Sequence, residues 1–409
     1  FKLHLSQNRS LAVIFLDLDD FKAINDSLGH FVGDRLLEMT GRRLERCVRP
    51  GDTVARWGGD EFALLLEDSD GPTAEAIVGR IISELERPYQ ILTQEVLSRA
   101  SVGVAITQGH ETSADLLIAA DLAMYVAKSR GKSRYQFFQS EMREAAIERS
   151  ATRTDLEWVL QRNELTIHYQ PIIDISTGKL SGFEALVRWN HPSRGELHPD
   201  DWIALAEESG MIASIGKWVL VNACHQAALW QATSGQDLTI AVNVSARQLQ
   251  GQTLVEEIAS ALEESNLNAN SLILEITESA TVVDTESVIN RLESLKSLGV
   301  GLSIDDFGTG YSSLSYLRRF PVDYLKVDRS FVAELVTSSE DLAIVSHVIN
   351  LGHSLGLKVV AEGVETSEQL DKLCEMGCDQ AQGFRWRHPA DPEDVSQWLA
   401  SLDGERVSI

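Results

Sequence analysis

The sequence LSIDDFGTGYSS at residues 302–313 places two adjacent carboxylates, Asp305 and Asp306, at the end of an apolar stretch. Leu302 and Ile304 alternate with small residues there, which predicts a half-buried strand followed by a loop. Because successive side chains on a strand point to opposite faces, the two aspartates can serve one site only if the strand stops between them. Two carboxylates held together repel, and one takes up a proton unless a cation lies between them. A divalent metal is the simplest such cation, and a solvated pair at a strand end is the alternative.

Further polar side chains stand at the C-terminal ends of apolar strands in the second half of the chain. We expect strands near residues 165–173, 181–187, 238–243, 271–276, 300–305, 323–327, 357–362 and 379–384, alternating with helices. This many strands over roughly 250 residues is the size of a TIM-type (β/α)8 barrel, whose chemistry collects where the strands end. The polar residues at those ends are Glu184, Asn243, Glu275, Asp305, Lys326, Glu362 and Gln382. So many, mostly carboxylates, favour a metal site over a solvated pair.

The first half of the chain has its own carboxylates at strand ends. A buried strand near residues 11–18 ends at Asp17 and Asp19, and two strands flank Gly58 and Gly59. The glycines suit a tight hairpin with positive φ at its centre, and they let a ligand approach the backbone closely. The remaining expected elements are helices from about residue 33, at 73–86 and at 115–129, and strands at 101–106 and 135–138. Hairpins mixed with helices predict an α+β domain with an antiparallel-rich sheet.

Composition limits the classes of function. The 409 residues allow two or three domains, and no apolar run is long enough to cross a membrane, so we expect no membrane contact within the chain. The four cysteines lack paired spacing, which indicates reduced thiols and a cytoplasmic location. A net charge of −25 argues against a nucleic-acid polymer as partner. The motifs begin so close to Phe1 that we expect further residues upstream, where a sensor or a membrane anchor would lie.

The second half, residues 151–402, closely resembles the EAL family of cyclic di-GMP phosphodiesterases. The matching motifs are EAL with Arg188 (184–188), NVS (243–245), EITE (275–278), DDFG (305–308), KVD (326–328) and EGVE (362–365). The resemblance implies two Mg²⁺ or Mn²⁺ ions per active site. Their ligands would be Glu184, Asn243, Glu275, Asp305 and Asp306, with Asp305 bridging the two ions.

The same resemblance implies roles for the remaining polar residues of the barrel. Lys326 and Glu362 would hold and activate the attacking water, Arg188 would contact a substrate phosphate, and Gln382 would orient the site. Glu365 would hold the 307–313 loop in register, although it could instead be a solvated acid beside a helix capped by Thr366. The chain departs from the family at residues 385–387, where Arg-Trp-Arg replaces apolar and small residues and could alter affinity for the dinucleotide.

The first half, residues 1–138, resembles the GGDEF family of diguanylate cyclases through its intact signature at residues 58–62. The resemblance implies two metals bound by Asp17, Asp60 and the Leu18 carbonyl, with Glu61 in support. It also implies guanine contacts from Asn25 and Asp34 and phosphate contacts from Lys22, Lys128 and Lys132. Lys128 and Lys132 could instead be a solvated helix end. Arg49 and Asp52 match a product-inhibition site, for which a surface ion pair is the alternative.

We therefore expect an α+β, palm-like GGDEF domain at residues 1–138, a connecting helix at 139–154 and an EAL barrel at 155–402. The expected function is bifunctional: condensation of two GTP to cyclic di-GMP, and hydrolysis of cyclic di-GMP to linear pGpG. Condensation needs two GTP-loaded domains face to face, so a homodimer is expected. One alternative is a phosphodiesterase with a GTP-binding regulatory domain. The other is a catalytically silent receptor of cyclic di-GMP, which the intact ligand set disfavours.

Overall fold

The computed structural model describes residues 10–107, 112–281, 285–308 and 317–402. The chain divides into two compact units, Phe1–Ala151 and Thr152–Ile409. The division falls inside one helix, Ser140–Leu156. Within the described ranges, every helix is too short or too polar to cross a membrane.

The first unit is an α+β domain, as the sequence predicts. Its elements are β1 (Leu11–Leu18), α1 (Phe21–Leu28), α2 (His30–Cys47), β2 (Thr53–Gly58), β3 (Glu61–Glu67), α3 (Gly71–Leu85), β4 (Tyr89–Ile91), β5 (Gln94–Val96), β6 (Ala100–Ile106), α4 (Ser113–Ser129), β7 (Tyr135–Phe137) and α5 (Ser140–Leu156). The main sheet has the order β2-β3-β1-β6-β7, and its pairs are antiparallel except β6–β7. Central strand β1 is buried along its whole length because apolar clusters pack on both faces of the sheet. This explains its continuous apolar run.

The glycine-rich hairpin forms where the sequence predicts it, with a shift of one residue at its centre. Gly58 pairs with Glu61, so the two-residue turn is Gly59-Asp60. Gly59 alone of the two glycines has a positive φ, of 51°. The turn therefore places Asp60 at the tip of the hairpin, next to the end of β1.

The second unit is a closed barrel. Its elements are β8 (Leu165–Asp174), β9 (Lys179–His191), β10 (Gly195–Leu197), α6 (Pro199–Ser209), α7 (Met211–Ser234), β11 (Thr239–Val244), α8 (Ala246–Gln250), α9 (Leu254–Ser265), β12 (Leu272–Thr277), α10 (Thr285–Ser297), β13 (Gly301–Phe307), β14 (Tyr324–Val327), α11 (Arg329–Ala333), α12 (Ser339–Ser354), β15 (Lys358–Ala361), α13 (Ser367–Glu375), β16 (Gln380–Gln382) and α14 (Pro392–Ser401), with short 3₁₀ turns at Ala269–Ser271 and Glu278–Thr281. The sheet runs β9-β11-β12-β13-β14-β15-β16-β8 and closes through a second pairing of β8 with β9.

One strand distinguishes this barrel from eight parallel strands. β8 runs antiparallel to both of its neighbours, β9 and β16. A short turn at residues 175–178 joins β8 to β9, and an antiparallel pair needs no crossover helix. The strands β9 and β11 to β16 are parallel, so their C-terminal ends meet at one mouth of the barrel.

Close packing of α4 on strand β6 generates a stability prediction. A Cβ added at Gly103 would lie 1.9 Å from the Ala120 carbonyl oxygen and 2.2 Å from the Met124 nitrogen, both backbone atoms of α4. Gly103→Ala should therefore destabilise the first unit by about 3 kcal/mol, the upper end of overpacking effects. Hydrogen exchange of β1 and β6 measures this change.

The matched control is Gly79→Ala in α3, where an added Cβ meets nothing within 4 Å. This substitution should stabilise the same unit by about 0.4–1 kcal/mol because it removes backbone entropy from the unfolded chain. Equal exchange rates in the two variants would contradict the packing argument.

Candidate metal centre and nucleotide sites

The polar residues predicted at the strand ends do meet at the mouth of the barrel. Glu184 lies in β9, Asn243 in β11, Glu275 in β12, Asp305 in β13 and Lys326 in β14, while Glu362 directly follows β15 and Gln382 ends β16. Parallel pairing places Asn243 opposite Glu275, so the two side chains share one face of the sheet. The strands are apolar and buried elsewhere because helices cover the outside of the barrel.

Lys326 occupies the centre of this group. Its side chain is 1% exposed, and its Nζ lies 2.5 Å from Glu362 Oε1, 2.7 Å from Glu275 Oε2, 3.4 Å from Asp305 Oδ2 and 3.5 Å from Glu184 Oε2. A buried ammonium is tolerated only with charged partners. Lys326 is therefore a buried, ion-paired lysine and not a solvated surface cation.

Negative charge exceeds positive charge at the mouth. With Asp306, five carboxylates surround one ammonium, which leaves four negative charges when all are ionised. Burial raises the pKa of Glu275 well above its usual range, and the neighbouring Glu184 adds to this. Burial also raises the pKa of Glu362 to about 8, against the pull of Lys326. Two divalent cations would neutralise the excess.

The pKa shifts of Glu184 and Lys326, unlike those of Glu275 and Glu362, favour the charged forms. Burial opposes the ionised form of Glu184, but Lys326 and the amides of Gln382 and Asn243 outweigh it and lower the pKa of Glu184. Burial likewise opposes the charged form of Lys326, but Asp305, Glu184 and the other carboxylates hold its pKa well above the usual range. The ionised pair of Glu184 and Lys326 therefore forms the fixed electrostatic core of the site.

Asp305 and Asp306 lie at one site, but not because the strand ends between them, as the sequence predicted. Strand β13 does not stop between the aspartates but continues to Phe307, with a register shift between Ile304 and Phe307. Asp306 has a φ of 56° in this bulge, which turns its side chain away from strict alternation. Ligand atoms of Asp305, Asp306 and Glu362 all lie within 4.8 Å of one another. Burial, with the charges of Asp305 and Asp328, raises the pKa of Asp306 to about 6.

Two amides donate hydrogen bonds to Glu184, and a third amide contacts one of these two. Asn243 Nδ2 donates to Glu184 Oε1 at 2.8 Å, and Gln382 Nε2 donates to Glu184 Oε2 at 2.6 Å. Gln382 Nε2 also donates to the Oε1 of Gln170 in β8, at 2.8 Å. Gln170 was not among the residues predicted from the sequence, although an amide within an apolar strand was an available signal. Gln382 Oε1 is buried and has no hydrogen-bond partner in the described ranges, so it remains available to a further polar group.

A carboxylate to which the sequence assigned no role contacts the loop after Asp306. Glu278, three residues past Glu275, accepts a hydrogen bond from the Gly308 nitrogen at 2.9 Å and is 3% exposed. Glu365, for which we predicted this role, is exposed. Its backbone nitrogen donates to Gln369, and Thr366 forms the expected capping box with that glutamine. Residues 309–316 lie outside the described ranges, so the role of Glu365 stays a prediction.

The three arginines near the barrel mouth contact different groups. The side chain of Arg188 is 11% exposed, and its Nε lies 3.7 Å from Glu196 Oε1. The guanidinium of Arg387 packs over the Trp398 ring of α14, with its carbon 5.7 Å from the ring centroid. The backbone nitrogen of Arg385 donates to the Val364 carbonyl oxygen at 2.9 Å. Of the two arginines in the unusual Arg-Trp-Arg segment, Arg387 therefore packs against the C-terminal helix.

The carboxylates of the first unit gather at the end of β1. Asp17 pairs in register with Glu61, and the Leu18 nitrogen donates to the Asp60 carbonyl oxygen at 3.3 Å. Lys128 Nζ lies 2.7 Å from Asp17 Oδ2, so this lysine is ion-paired at the site instead of free in solvent. Burial raises the pKa of Asp17 despite that pair. Burial and the charge of Asp17 also raise the pKa of Glu61.

The predicted nucleotide contacts of the first unit lie on α1, on α2 and just after α4. Asn25 Oδ1 is buried without a hydrogen-bond partner in the described ranges, 1.9 Å from where a Cβ on Gly33 would lie. Asp34 and Lys22 are exposed. Lys132 forms an ion pair with Asp20, with 2.8 Å between Nζ and Oδ1. Glycine at position 33 is therefore needed to leave room for Asn25.

Arg49 and Asp52 contact each other through the backbone. Asp52 accepts hydrogen bonds from the Arg49 nitrogen at 2.8 Å and from the Glu67 nitrogen at 3.0 Å. Among the ion pairs of the described residues, none joins the Arg49 guanidinium to Asp52. The surface ion pair is therefore not the arrangement observed, and the product-inhibition site stays a prediction.

The donors at the barrel mouth fit hard divalent cations. They are carboxylate and amide oxygens, without histidine or cysteine among the residues just described, which is the ligand type that Mg²⁺ and Mn²⁺ prefer. The unneutralised charge and the raised pKa values of Glu275, Glu362 and Asp306 point the same way. In the first unit, Asp17 and Asp60 provide a smaller oxygen set of the same type.

Sequence comparisons match both units to known families. The family described as EAL domain matches residues 152–389, and the family described as diguanylate cyclase, GGDEF domain, matches residues 1–134. The bifunctional diguanylate cyclase/cyclic di-GMP phosphodiesterase MucR of Pseudomonas aeruginosa is 45% identical over 97% of this chain and 58% of that protein. The cyclic di-GMP phosphodiesterase NbdA of the same species is 42% identical over 96% of this chain and 50% of that protein. The chain thus spans about half the length of these relatives.

Solved structures resemble the second unit. One described as PaMucR phosphodiesterase in complex with c-di-GMP has a TM-score of 0.58 and 46% identity, covering 60% of this chain and 99% of that one. The EAL domain of Mycobacterium smegmatis DcpA has a TM-score of 0.50 and 40% identity, covering 58% of this chain and 97% of that one. Because the EAL family matches more than half of the chain and the GGDEF family matches the part before it, this chain is a tandem GGDEF–EAL protein.

Proposed function

We propose that this chain turns over cyclic di-GMP, with hydrolysis to pGpG in the barrel and condensation of GTP in the first unit. The observation that carries the proposal is the group of five carboxylates around the buried Lys326 at the mouth of the barrel. The relatives MucR and NbdA, matched over both units, are described as acting on cyclic di-GMP. The solved complex of PaMucR contains that dinucleotide.

Glu184, Asn243, Glu275, Asp305 and Asp306 would hold two divalent cations. Bound there, such ions lower the pKa of a water molecule and stabilise the entering and leaving oxygens of a phosphodiester. Glu362 lies 2.5 Å from Lys326 and is the carboxylate available to accept a proton from the attacking water. Lys326 keeps that water and the neighbouring carboxylates aligned through its own charge. Water adds to one phosphorus, the bond to the 3′ oxygen breaks, and that oxygen takes up a proton, which yields linear pGpG.

Arg188 lies four residues beyond Glu184 on β9, and therefore on the same face of the strand and further out at the mouth. There its guanidinium would bind a phosphate of the dinucleotide through two parallel hydrogen bonds. Gln382 and Gln170 keep the Glu184 carboxylate in one orientation. We assign these residues to substrate binding and to orientation of the site.

In the first unit, Asp17 and Asp60 would bind metal, with the Leu18 carbonyl, and Glu61 would support them. Asn25 and Asp34 would read guanine, while Lys22, Lys128 and Lys132 would contact phosphates. Each domain supplies half of a condensation site, so the cyclase would act as a homodimer, with Arg49 and Asp52 binding product. A regulatory GTP-binding role is the second candidate, because NbdA matches both units and is described only as a phosphodiesterase.

One prediction concerns Glu184. Glu184→Gln keeps the shape of the side chain but removes a carboxylate from the metal set, and it should reduce hydrolysis by more than about 100-fold. Product analysis by anion-exchange chromatography measures pGpG, and circular dichroism checks the fold. Hydrolysis at the parental rate by a folded variant would contradict the metal assignment.

The same variant separates the two candidate roles of the first unit. With hydrolysis blocked, incubation with GTP and Mg²⁺ should accumulate cyclic di-GMP. Adding Asp60→Asn to this background should stop accumulation, because Asp60 belongs to the metal set of the first unit. If the Glu184→Gln protein binds GTP but forms no cyclic di-GMP, the first unit is a regulator.

A further prediction compares the two acids assigned to the loop after Asp306. Glu278→Ala removes the acceptor of the Gly308 nitrogen, so the position of Asp306 loosens. We expect the metal concentration for half-maximal hydrolysis to rise about 10- to 100-fold, as for other residues that orient metal ligands. Titrating hydrolysis against Mn²⁺ measures this shift.

Glu365→Ala is measured in the same titration. Under the loop-anchor hypothesis its curve also shifts. An unshifted curve with normal turnover would leave Glu365 as a solvated acid beside the capped helix α13. An unshifted curve for Glu278→Ala would show that the observed contact does not position Asp306.

A further inference from the structure

Glu196 on the short strand β10 lies beside Arg188, the residue to which we assign phosphate binding. β10 pairs antiparallel with the outer end of β9, and Glu196 is directly opposite Asn190. Arg188 is therefore its diagonal neighbour on the same face, within reach of a long side chain. Our sequence analysis gave Glu196 no role.

The two side chains lie near each other without a hydrogen bond between them. Arg188 Nε lies 3.7 Å from Glu196 Oε1, beyond hydrogen-bond distance, while the Nη1 of Arg188 donates to its own neighbour, the Val187 carbonyl oxygen, at 2.9 Å. The other oxygen of Glu196 lies 4.0 Å from His168 Nε2. The Arg188 side chain is 11% exposed and the Glu196 side chain is 42% exposed. The carboxylate can thus withdraw into solvent while the arginine stays in place.

Charge makes this carboxylate a competitor of the ligand. Burial lowers the pKa of Arg188, and Glu196 and Glu184 counteract that by stabilising its charged form. A phosphate that binds Arg188 meets Glu196 as a like charge at the same guanidinium. Cyclic di-GMP carries one negative charge on each of two diesters. Linear pGpG carries a terminal phosphate of about −1.5 to −2 in addition to one diester, so the repulsion is greater for the product.

We propose that Glu196 competes with phosphate for Arg188 and weakens binding of the linear product more than binding of the cyclic substrate. This inference rests on the proposed function, since it takes Arg188 as a phosphate-binding residue. In the free barrel, Glu196 supplies a counter-charge for the largely buried Arg188 side chain. When the ligand arrives, Glu196 gives up that contact, and its charge promotes departure of pGpG after hydrolysis. Glu196 is thus a residue that sets the balance between substrate and product affinity.

The test is calorimetric titration of the whole chain with pGpG, the product of the proposed hydrolysis, at constant Mg²⁺. Glu196→Gln keeps the size of the side chain and should lower the Kd for pGpG about two- to five-fold, the range for a partly exposed ion pair. The KM for cyclic di-GMP should fall by a smaller factor, and product inhibition should become stronger. The matched control is Glu263→Gln in the last turn of α9, an exposed acid at the end of the barrel away from the mouth. It should leave both constants unchanged.

A double-mutant cycle assigns the effect to Arg188. In an Arg188→Ala background, Glu196→Gln should change the Kd for pGpG by less than it does in the parent. A rise in the Kd of the single variant, an unchanged Kd, or an equal fall in both backgrounds would overturn the proposal. If the parent itself neither hydrolyses cyclic di-GMP nor binds pGpG, the proposed function fails as well. Hydrolysis by the parent with an unshifted Glu196→Gln variant overturns this inference alone.

Discussion

The buried ammonium of Lys326 is the interaction on which the barrel mouth depends. Three carboxylates from three different strands, and Glu362 directly after a fourth strand, lie within 3.5 Å of its Nζ, and the side chain is 1% exposed. One positive charge cannot offset them all, so protons remain on some carboxylates in the absence of further cations, as the raised pKa values of Glu275 and Glu362 indicate. The barrel supplies the geometry, because parallel strands bring their C-terminal ends to one mouth. The excess charge supplies the reason for divalent metals.

The first unit also pairs a lysine with a carboxylate at the end of a strand, but in a different fold. Asp17, at the end of a fully buried strand, pairs with Lys128, which α4 brings across the sheet. The Lys128 side chain is 32% exposed, against 1% for Lys326. Solvent therefore screens the pair in the first unit more strongly, and Lys128 is freer to move from Asp17 to an incoming phosphate. In both units a lysine and a strand-end carboxylate form the starting point of the site.

The sequence was sufficient for the strands of the five-stranded sheet and of the barrel and for the polar residues that meet at the mouth, because a polar residue that ends an apolar run is a local signal. It was insufficient where the answer depends on three-dimensional contacts. Glu278 and Glu365 each stand three residues beyond a site carboxylate, and spacing cannot tell that Glu278 is the one bonded to Gly308. The antiparallel direction of β8 likewise cannot be predicted from the order of apolar and polar residues, because a parallel and an antiparallel strand can have the same pattern. The sequence also predicted that the strand ends between Asp305 and Asp306, because adjacent side chains on a strand point to opposite faces. A bulge at Asp306 brings the two carboxylates together instead.

The most direct test of the metal centre is calorimetric binding of Mn²⁺ to the full chain between pH 6 and 9, in buffers of different ionisation enthalpy. The pKa of the proposed ligand Asp306 is raised to about 6 and that of the neighbouring Glu362 to about 8, so below pH 8 metal binding must expel protons from this cluster of carboxylates. The account predicts proton release on binding and an affinity that rises with pH up to about 8 and then levels off. Glu362→Gln should release fewer protons at pH 7. Affinity independent of pH, with no protons released, would contradict the claim that metal ions take the place of protons in this cluster.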